Sequence, residues 1–301
     1  MIKTDEQFEI QFIDASRISN WSRCEARFLF KSLMGLRWPE EDRIKLDYGT
    51  VMHRVLPKMY SGDATEAIKL FDSLWAKFPY GETDSKRNTI LSHSRIVNFV
   101  SNHSDHNRQY DILHFDFSSP TELISENEVP FLIDIGVRLP LAGRIDEIIK
   151  LSSTGRKFAY DFKTSSEISP RYFDAFWFSP QALAYTIATK QITGEVIDGL
   201  AVEAMRISEK NFENQIGFAY VTDVEINNFL SEISNICVEM ETANKLGVYS
   251  QRFAMCSSYP GFGIPCGLCE YRLLCSAQDW EPLVRFYKRE KAFDPLNTKE
   301  I

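Results

Sequence analysis

Two carboxylates and an ammonium group occur close together in the middle of the chain. Asp146 ends the run GRID, and Asp161 and Lys163 belong to the run YDFKT. Residues i and i+2 of a strand point to the same face, so we expect Asp161 and Lys163 to share one face. Carboxylate oxygens bind hard cations such as Mg²⁺ or Mn²⁺, and a nearby lysine can serve a water molecule and neutralise phosphate charge. These residues are therefore candidates for metal-assisted phosphate chemistry, and a solvated hairpin with an ordinary cross-strand ion pair is the alternative.

Strand-like runs surround these groups. The runs span residues 131–137, 141–149 and 156–163, and they predict an antiparallel meander around a turn at 152–155. A two-residue loop would place Asp146 opposite Lys163, whereas a four-residue loop would place it opposite Asp161. Either register gathers two carboxylates and one ammonium group.

Helical patterns precede and follow the predicted strands. They predict a helix over about 22–33 with Cys24 in its first turn, and another from Gly49 to Tyr60 with a kink at Pro57. A third helix is predicted from Ser179, with Gln181 and Tyr185 on one face. The fourth is long and amphipathic, with an apolar stripe from Ile226 to Met240. Residues 61–115 show a mixture of helix and polar loop, with the strongest helical pattern over 67–78. This order predicts an α/β fold in which helices flank a mixed central sheet.

A second group of residues has the spacing of metal ligands. Cys266, Cys269 and Cys275 form the pattern C-x2-C-x5-C. A fourth ligand is needed, and both Cys24 and Cys256 are candidates. With Cys256 the four thiols would form a local zinc or iron-sulfur knuckle.

Composition excludes several classes of protein. The 301 residues are 44% hydrophobic and 25% charged, as in an ordinary globular protein, and no apolar run is long enough to cross a membrane. The first ten residues are charged where a secretory signal would be apolar, so we expect a cytoplasmic protein without a membrane association. The net charge of -8 argues against unselective coating of nucleic acid. Residues 17–58 nevertheless carry nine basic and five acidic side chains, which suits phosphate binding at one place.

The motifs, taken together, resemble the RecB-type PD-(D/E)XK nucleases over roughly residues 20–280. The matching runs are GTVMH ending at His53, GRID ending at Asp146, DFKT starting at Asp161, and Gln181 with Tyr185. The resemblance implies a restriction-endonuclease-like core with Mg²⁺ or Mn²⁺ as its cofactor. It implies that His53, Asp146 and Asp161 hold this metal, that Lys163 serves the water nucleophile, and that Gln181 and Tyr185 support the site or the DNA.

RecB-like nucleases of the AddB and CRISPR-associated kind are similar to this chain in one further respect. They have one cysteine ahead of the nuclease motifs and three behind them. The resemblance implies that Cys24, Cys266, Cys269 and Cys275 hold a [4Fe-4S] cluster that joins the N- and C-terminal segments.

One nuclease unit over residues 1–301 is the domain organisation that we expect. It would consist of an N-terminal helical segment (16–48), a core (49–222) with a helical insertion (61–115), and a Cys-rich C-terminal segment (223–301). The expected function is a metal-dependent deoxyribonuclease, an exonuclease on single-stranded DNA ends, and the alternative is a non-catalytic DNA-binding or assembly subunit of a recombination, repair or CRISPR-adaptation complex. The chain has no Walker motif, so unwinding would need a helicase or another partner protein. The aromatic run from Tyr172 to Phe178 suits either base stacking or core packing.

Overall fold

A computed structural model describes residues 1–38, 43–80, 84–102, 110–112, 129–165, 167–207, 212–251 and 269–290. The chain forms two compact units. Unit 1 comprises Met1–Glu41, Pro130–Arg144 and Asp223–Ile301, and unit 2 comprises Asp42–Val129 and Ile145–Thr222. Unit 2 contains most of the segment that the sequence predicts as the nuclease core.

Helices and strands alternate along the chain. The helices are α1 (Ala15–Arg23), α2 (Glu25–Phe28), α3 (Ile44–Tyr60), α4 (Ala64–Trp75), α5 (Thr89–Asn102), α6 (Pro170–Asp174), α7 (Pro180–Thr193), α8 (Asp223–Leu246) and α9 (Arg272–Ser276), with a π-helical turn at Leu29–Leu33 and a 3-10 helix at Glu281–Phe286. The strands are β1 (Ile2–Lys3), β2 (Leu36–Arg37), β3 (Tyr110–Ile112), β4 (Val129–Ile133), β5 (Leu141–Ile145), β6 (Glu147–Leu151), β7 (Lys157–Ser165), β8 (Gly199–Ile207), β9 (Phe212–Tyr220), β10 (Val248–Tyr249) and β11 (Lys288–Arg289). No helix among the described residues is both long and apolar enough to span a membrane.

The main sheet lies in unit 2 and has the strand order β3-β6-β7-β8-β9. Strands β7 and β8 are parallel, and the other neighbouring pairs are antiparallel. The predicted mixed sheet is therefore confirmed. In the β6–β7 hairpin Glu147 pairs with Tyr160, which is the register of the four-residue loop. This register continues to Asp146 opposite Asp161.

The strand predicted over 131–137 is partly wrong. Strand β4 ends at Ile133, where the chain turns through Gly136 at a φ of +75°, and Asp134 Oδ1 accepts a hydrogen bond from the Gly136 N–H at 2.8 Å. This left-handed conformation favours glycine and ends the extended run. Strand β4 pairs with β5 in a separate two-stranded sheet, so the predicted meander is divided.

Helix α3 packs closely on strand β7. A side chain at Gly49 would meet Thr164 Oγ1 at 3.1 Å, so the absence of a Cβ at this position allows the close approach. The helix begins at Ile44, earlier than predicted, and continues through Pro57 to Tyr60. Its apolar face packs with α4, α5 and the even-numbered residues of β7 in one buried core, in which Val51, Met52 and Phe162 take part.

The helix predicted over 22–33 is divided. Helix α1 begins at Ala15, because Asp14 caps it by accepting a hydrogen bond from the Arg17 N–H at 2.8 Å. Cys24 is extended, with a φ of -169°, and separates α1 from α2. Cys24 is therefore at the junction of two helices and not in the first turn of one long helix.

Hydrogen bonds join the first and last segments of unit 1. Strand β1 pairs with β10 through Ile2 and Tyr249, and β2 pairs with β11 through Leu36 and Arg289. Helix α8 buries the predicted stripe, including Phe229, Ile233, Cys237 and Met240, and confirms the amphipathic interpretation.

Candidate active site

Asp146 lies at the break between β5 and β6, on the chain that leads into the hairpin. Its Oδ2 accepts a hydrogen bond from the Phe162 N–H of β7 at 2.9 Å. His53 of α3 brings Nδ1 to 3.4 Å from the same oxygen. The His53 ring also packs edge-on against Phe162, with ring centroids 5.2 Å apart. The helix and the strand together orient this carboxylate through Oδ2. Both contacts leave its other oxygen, Oδ1, able to bind a cation.

Asp161 and Lys163 project from the same face of β7, as the alternation of the strand predicts. Lys163 Nζ lies 3.0 Å from Asp161 Oδ1 and 2.8 Å from Oδ2. Gln181, in the first turn of α7, donates from Nε2 to Asp161 Oδ1 at 2.9 Å. Helix α7 starts where predicted. Ser179 caps it by accepting a hydrogen bond from the Ala182 N–H, and this start holds Gln181 over the strand.

The two oxygens of Asp161 have different surroundings. The residue is only 3% exposed. Oδ1 accepts hydrogen bonds from Lys163 and Gln181, whereas Oδ2 is buried and, among the described residues, has an ion contact with Lys163 but no hydrogen bond of good geometry. A buried carboxylate oxygen with spare lone pairs is a favourable ligand for a cation.

Burial and neighbouring charges move the pKa values of the two carboxyls in opposite directions. Burial raises the pKa of Asp161 despite the nearby Lys163, and the charge of Asp146 raises it further. Burial would also raise the pKa of Asp146, but the charge and hydrogen bond of His53 and the Phe162 N–H outweigh burial and lower it. Burial lowers the pKa of Lys163, but the Asp161 carboxylate outweighs it, and the net effect raises this pKa. Lys163 is therefore an ammonium ion near neutral pH.

Tyr185 lies one helical turn after Gln181 and packs on a buried cluster that includes Ala182 and Val202. Contacts thus join five of the six predicted residues, namely His53, Asp146, Asp161, Lys163 and Gln181. Tyr185 packs on the apolar cluster instead. The sequence did not predict that Tyr172 lies near these carboxylates. Burial raises the pKa of the Tyr172 phenol. The charge of Lys163 lowers this pKa and the charge of Asp161 raises it, so the phenol is near both groups. A helical turn after β7 brings it there, and no spacing rule in the sequence predicts that turn.

The carboxylates suit a divalent cation. The described residues contain no group of three or more His, Cys, Asp or Glu side chains placed to hold a metal ion. Mg²⁺, however, is usually bound through one or two carboxylates together with water and substrate phosphates. Asp146 and Asp161 provide such a pair, and the spare oxygen of Asp161 fits this role.

Three cysteines of unit 1 are near enough for their charges to interact, although the described residues hold no group of three cysteines placed to bind a metal ion. Burial raises the pKa of Cys275 to about 11, and the nearby Cys24 and Cys269 thiols raise it as well. Cys24 Sγ lies 3.8 Å from the Ser250 carbonyl oxygen, and Arg27 Nη1 donates to Cys269 Sγ at 3.9 Å. Two thiols from near the C-terminus thus lie near one from the N-terminal segment. Cys256 and Cys266 lie outside the described residues.

The site combines two carboxylates and a lysine of a mixed sheet with a histidine and a glutamine of flanking helices, and these groups are able to bind a divalent cation and a phosphate. The model of the PD-(D/E)XK nuclease superfamily matches residues 14–276. The chain belongs to the PD-(D/E)XK nuclease superfamily.

Solved structures show distant similarity to the chain. One is a protein described as "Putative exonuclease" from Eubacterium rectale, with 12% identity, a TM-score of 0.47, and coverage of 80% of this chain and 85% of that one. Another is SSO0001, with 14% identity, a TM-score of 0.27, and coverage of 75% and 84%. No curated protein matches the chain.

Proposed function

We propose that the protein is a Mg²⁺- or Mn²⁺-dependent deoxyribonuclease that hydrolyses phosphodiester bonds at single-stranded DNA ends. The observation that carries the proposal is the meeting of Asp146, Asp161 and Lys163 at the β6–β7 hairpin. Within the described part of the chain, one buried Asp161 oxygen has an ion contact with Lys163 and no hydrogen bond. Membership in a nuclease superfamily supports DNA as the substrate.

Each residue of the site has a separate role in the proposal. Asp146 and Asp161, with His53, hold the divalent cation. The Phe162 N–H orients Asp146, and Gln181 orients Asp161. Bound there, a divalent cation supplies positive charge against the scissile phosphate and polarises water.

Lys163 acts as a charged donor in this scheme. Its side chain is one-third exposed, and its ammonium group is paired with Asp161, so it has protons to donate and no lone pair to accept one. It can therefore orient a water molecule and stabilise the negative charge that develops on a phosphate oxygen. Tyr185 supports α7 by packing on the buried cluster that includes Ala182 and Val202.

A [4Fe-4S] cluster held by Cys24, Cys266, Cys269 and Cys275 is the second part of the proposal. The proximity of Cys24, Cys269 and Cys275 supports this set over a local set with Cys256. Arg27 also donates a hydrogen bond to Cys269 Sγ. The β1–β10 and β2–β11 pairs already join the first and last segments of unit 1. The cluster would add a second connection between the same segments. Zinc is the alternative metal for four thiolates.

The test is digestion of labelled DNA with and without a divalent cation. Substrates are a linear single strand labelled at either end, a circular single strand and a blunt duplex, each with Mg²⁺, Mn²⁺ or EDTA. We expect cleavage of the linear single strand with Mg²⁺ or Mn²⁺ and none in EDTA. Resistance of the circular strand supports a requirement for ends. Cleavage that continues in EDTA, or failure to cleave any substrate, contradicts the proposal.

A further inference from the structure

The structure divides the aromatic run after β7 into buried and exposed parts. Phe173 and Phe176 pack against the apolar cluster beneath α7. Trp177 is 57% exposed and Phe178 is 73% exposed. The two exposed residues are adjacent in the turn between α6 and α7, and we call them the aromatic pair. Core packing explains Phe173 and Phe176 but not the aromatic pair.

The backbone holds Phe178 in a conformation that its side chain does not favour. Phe178 has a φ of +55° and is the only residue other than glycine with positive φ in the part of the chain that the structure describes. The Ser179 N–H donates to the Phe176 carbonyl oxygen at 3.2 Å and closes the turn around it. Such a position ordinarily carries glycine. A bulky ring there is strained and exposed, and this combination is typical of a functional position.

The aromatic pair is close to the candidate active site along the chain. Gln181, which contacts Asp161, follows Phe178 by three residues, so their Cα atoms are separated by at most about 11 Å. On the other side of the turn, the Phe176 ring lies 5.7 Å from that of Tyr172, whose phenol is near Lys163. The exposed Arg171 is on the same short helix and adds a positive charge.

We propose that Trp177 and Phe178 form a stacking platform for unpaired bases next to the phosphate that is cleaved. This inference rests on the proposed nuclease function and specifies its substrate. Aromatic rings stack with any base, because every base has a π-face, whereas Lys163 and Arg171 suit the phosphates between the bases. Bases inside a duplex are already stacked on one another. The platform therefore selects single-stranded nucleotides over paired ones, without a preference for sequence.

Two substitutions remove the platform in different ways. Trp177→Ala deletes the larger ring. Phe178→Gly deletes the other ring and also relieves the positive φ, so this variant should be as stable as the wild type or more stable. Val196→Ala is the matched control, because Val196 is a 76% exposed apolar residue of the same unit.

The measurement is binding of a fluorescent single-stranded oligonucleotide in EDTA, with and without a run of abasic sites, by the full-length protein. We expect each platform variant to bind the normal oligonucleotide at least about tenfold more weakly than the wild type. On the abasic oligonucleotide the wild type and both variants should bind with equal affinity. A 2-aminopurine base near the labelled end should be quenched by the wild type and not by Phe178→Gly.

Three results would overturn the inference. Undiminished binding by both variants shows that the rings do not stack with bases. An equal loss of affinity on normal and abasic oligonucleotides shows that the turn acts on the backbone and not on the bases. A change of oligomeric state in sedimentation, with unchanged DNA binding, assigns the aromatic pair to a contact between copies of the chain. In each case a wild type that still cleaves DNA leaves the nuclease proposal intact, whereas a wild type without cleavage removes it.

Discussion

Replacement of Lys163 by methionine tests the charge of the site while it keeps the aliphatic stem. Lys163 Nζ is within 3.0 Å of both oxygens of Asp161. A unit charge about 4 Å from a phosphate oxygen contributes about 4 kcal/mol at an effective dielectric constant of about 20. The Lys163 side chain is 33% exposed, so solvent screening reduces this value. We expect a loss of about 3 kcal/mol in the transition state, which is about a 10²-fold lower kcat.

Lys157→Met is the matched control for this substitution. Lys157 begins the same strand, and its Nζ is paired with Glu195 at 2.5 Å. The two lysines are six residues apart on one strand, which corresponds to about 20 Å. The assay is single-turnover cleavage of an end-labelled strand with Mg²⁺, with thermal unfolding as the check on folding. A folded Lys163→Met that cleaves within threefold of the wild type, or a Lys157→Met that is equally slow, would refute the assignment of Lys163.

Other perturbations address the cation, the orientation of Asp161 and the cysteines. Mn²⁺ at 100 times its Kd should stabilise the wild type by about 2.7 kcal/mol and raise Tm, whereas Asp146→Asn and Asp161→Asn should lose this rise in calorimetry. Gln181→Ala should slow cleavage about tenfold, since it removes one hydrogen bond to a charged group, and should leave the Mn²⁺ effect on Tm in place. Protein purified without air should be brown, and Cys24→Ser should be colourless and protease-sensitive at both ends of the chain. A brown Cys24→Ser beside a colourless Cys256→Ser would contradict the proposed ligand set.

The arrangement of the site was predictable where a short-range rule governs it. The two-residue period of a strand places Asp161 and Lys163 on one face, and the N-cap at Ser179 fixes the start of α7 and hence Gln181. These features depend on residues that are neighbours in the chain. The position of His53 came from the family resemblance, because no local rule connects α3 with the hairpin.

Long-range pairing and competition between local signals account for the rest. The register of the β6–β7 hairpin depends on loop length, and two loop lengths fit the same residues. The first helix begins earlier than the predicted 22–33, because Asp14 caps it and a helix that starts there buries Ile18 and Trp21. The turn at Phe178 has Trp177 and Phe178 at its two central positions, where glycine or asparagine would have indicated a turn in the sequence. Tertiary contacts determine the hairpin register, the helix start and this turn, and such contacts cannot be read from a single sequence.

Two buried carboxylates lie on neighbouring strands, and their hydrogen bonds explain why only one belongs to the candidate site. Glu203 of β8 is 2% exposed, pairs with Phe162, and so faces the α3 side of the sheet, opposite to Asp161. Its two oxygens accept hydrogen bonds from three side chains, those of Tyr60, Tyr160 and Asn214. A carboxylate that is satisfied on both oxygens is stable without a ligand. Asp161 is equally buried, but among the described residues its Oδ2 has an ion contact with Lys163 and no hydrogen bond, so we expect a cation to bind on that face of β7.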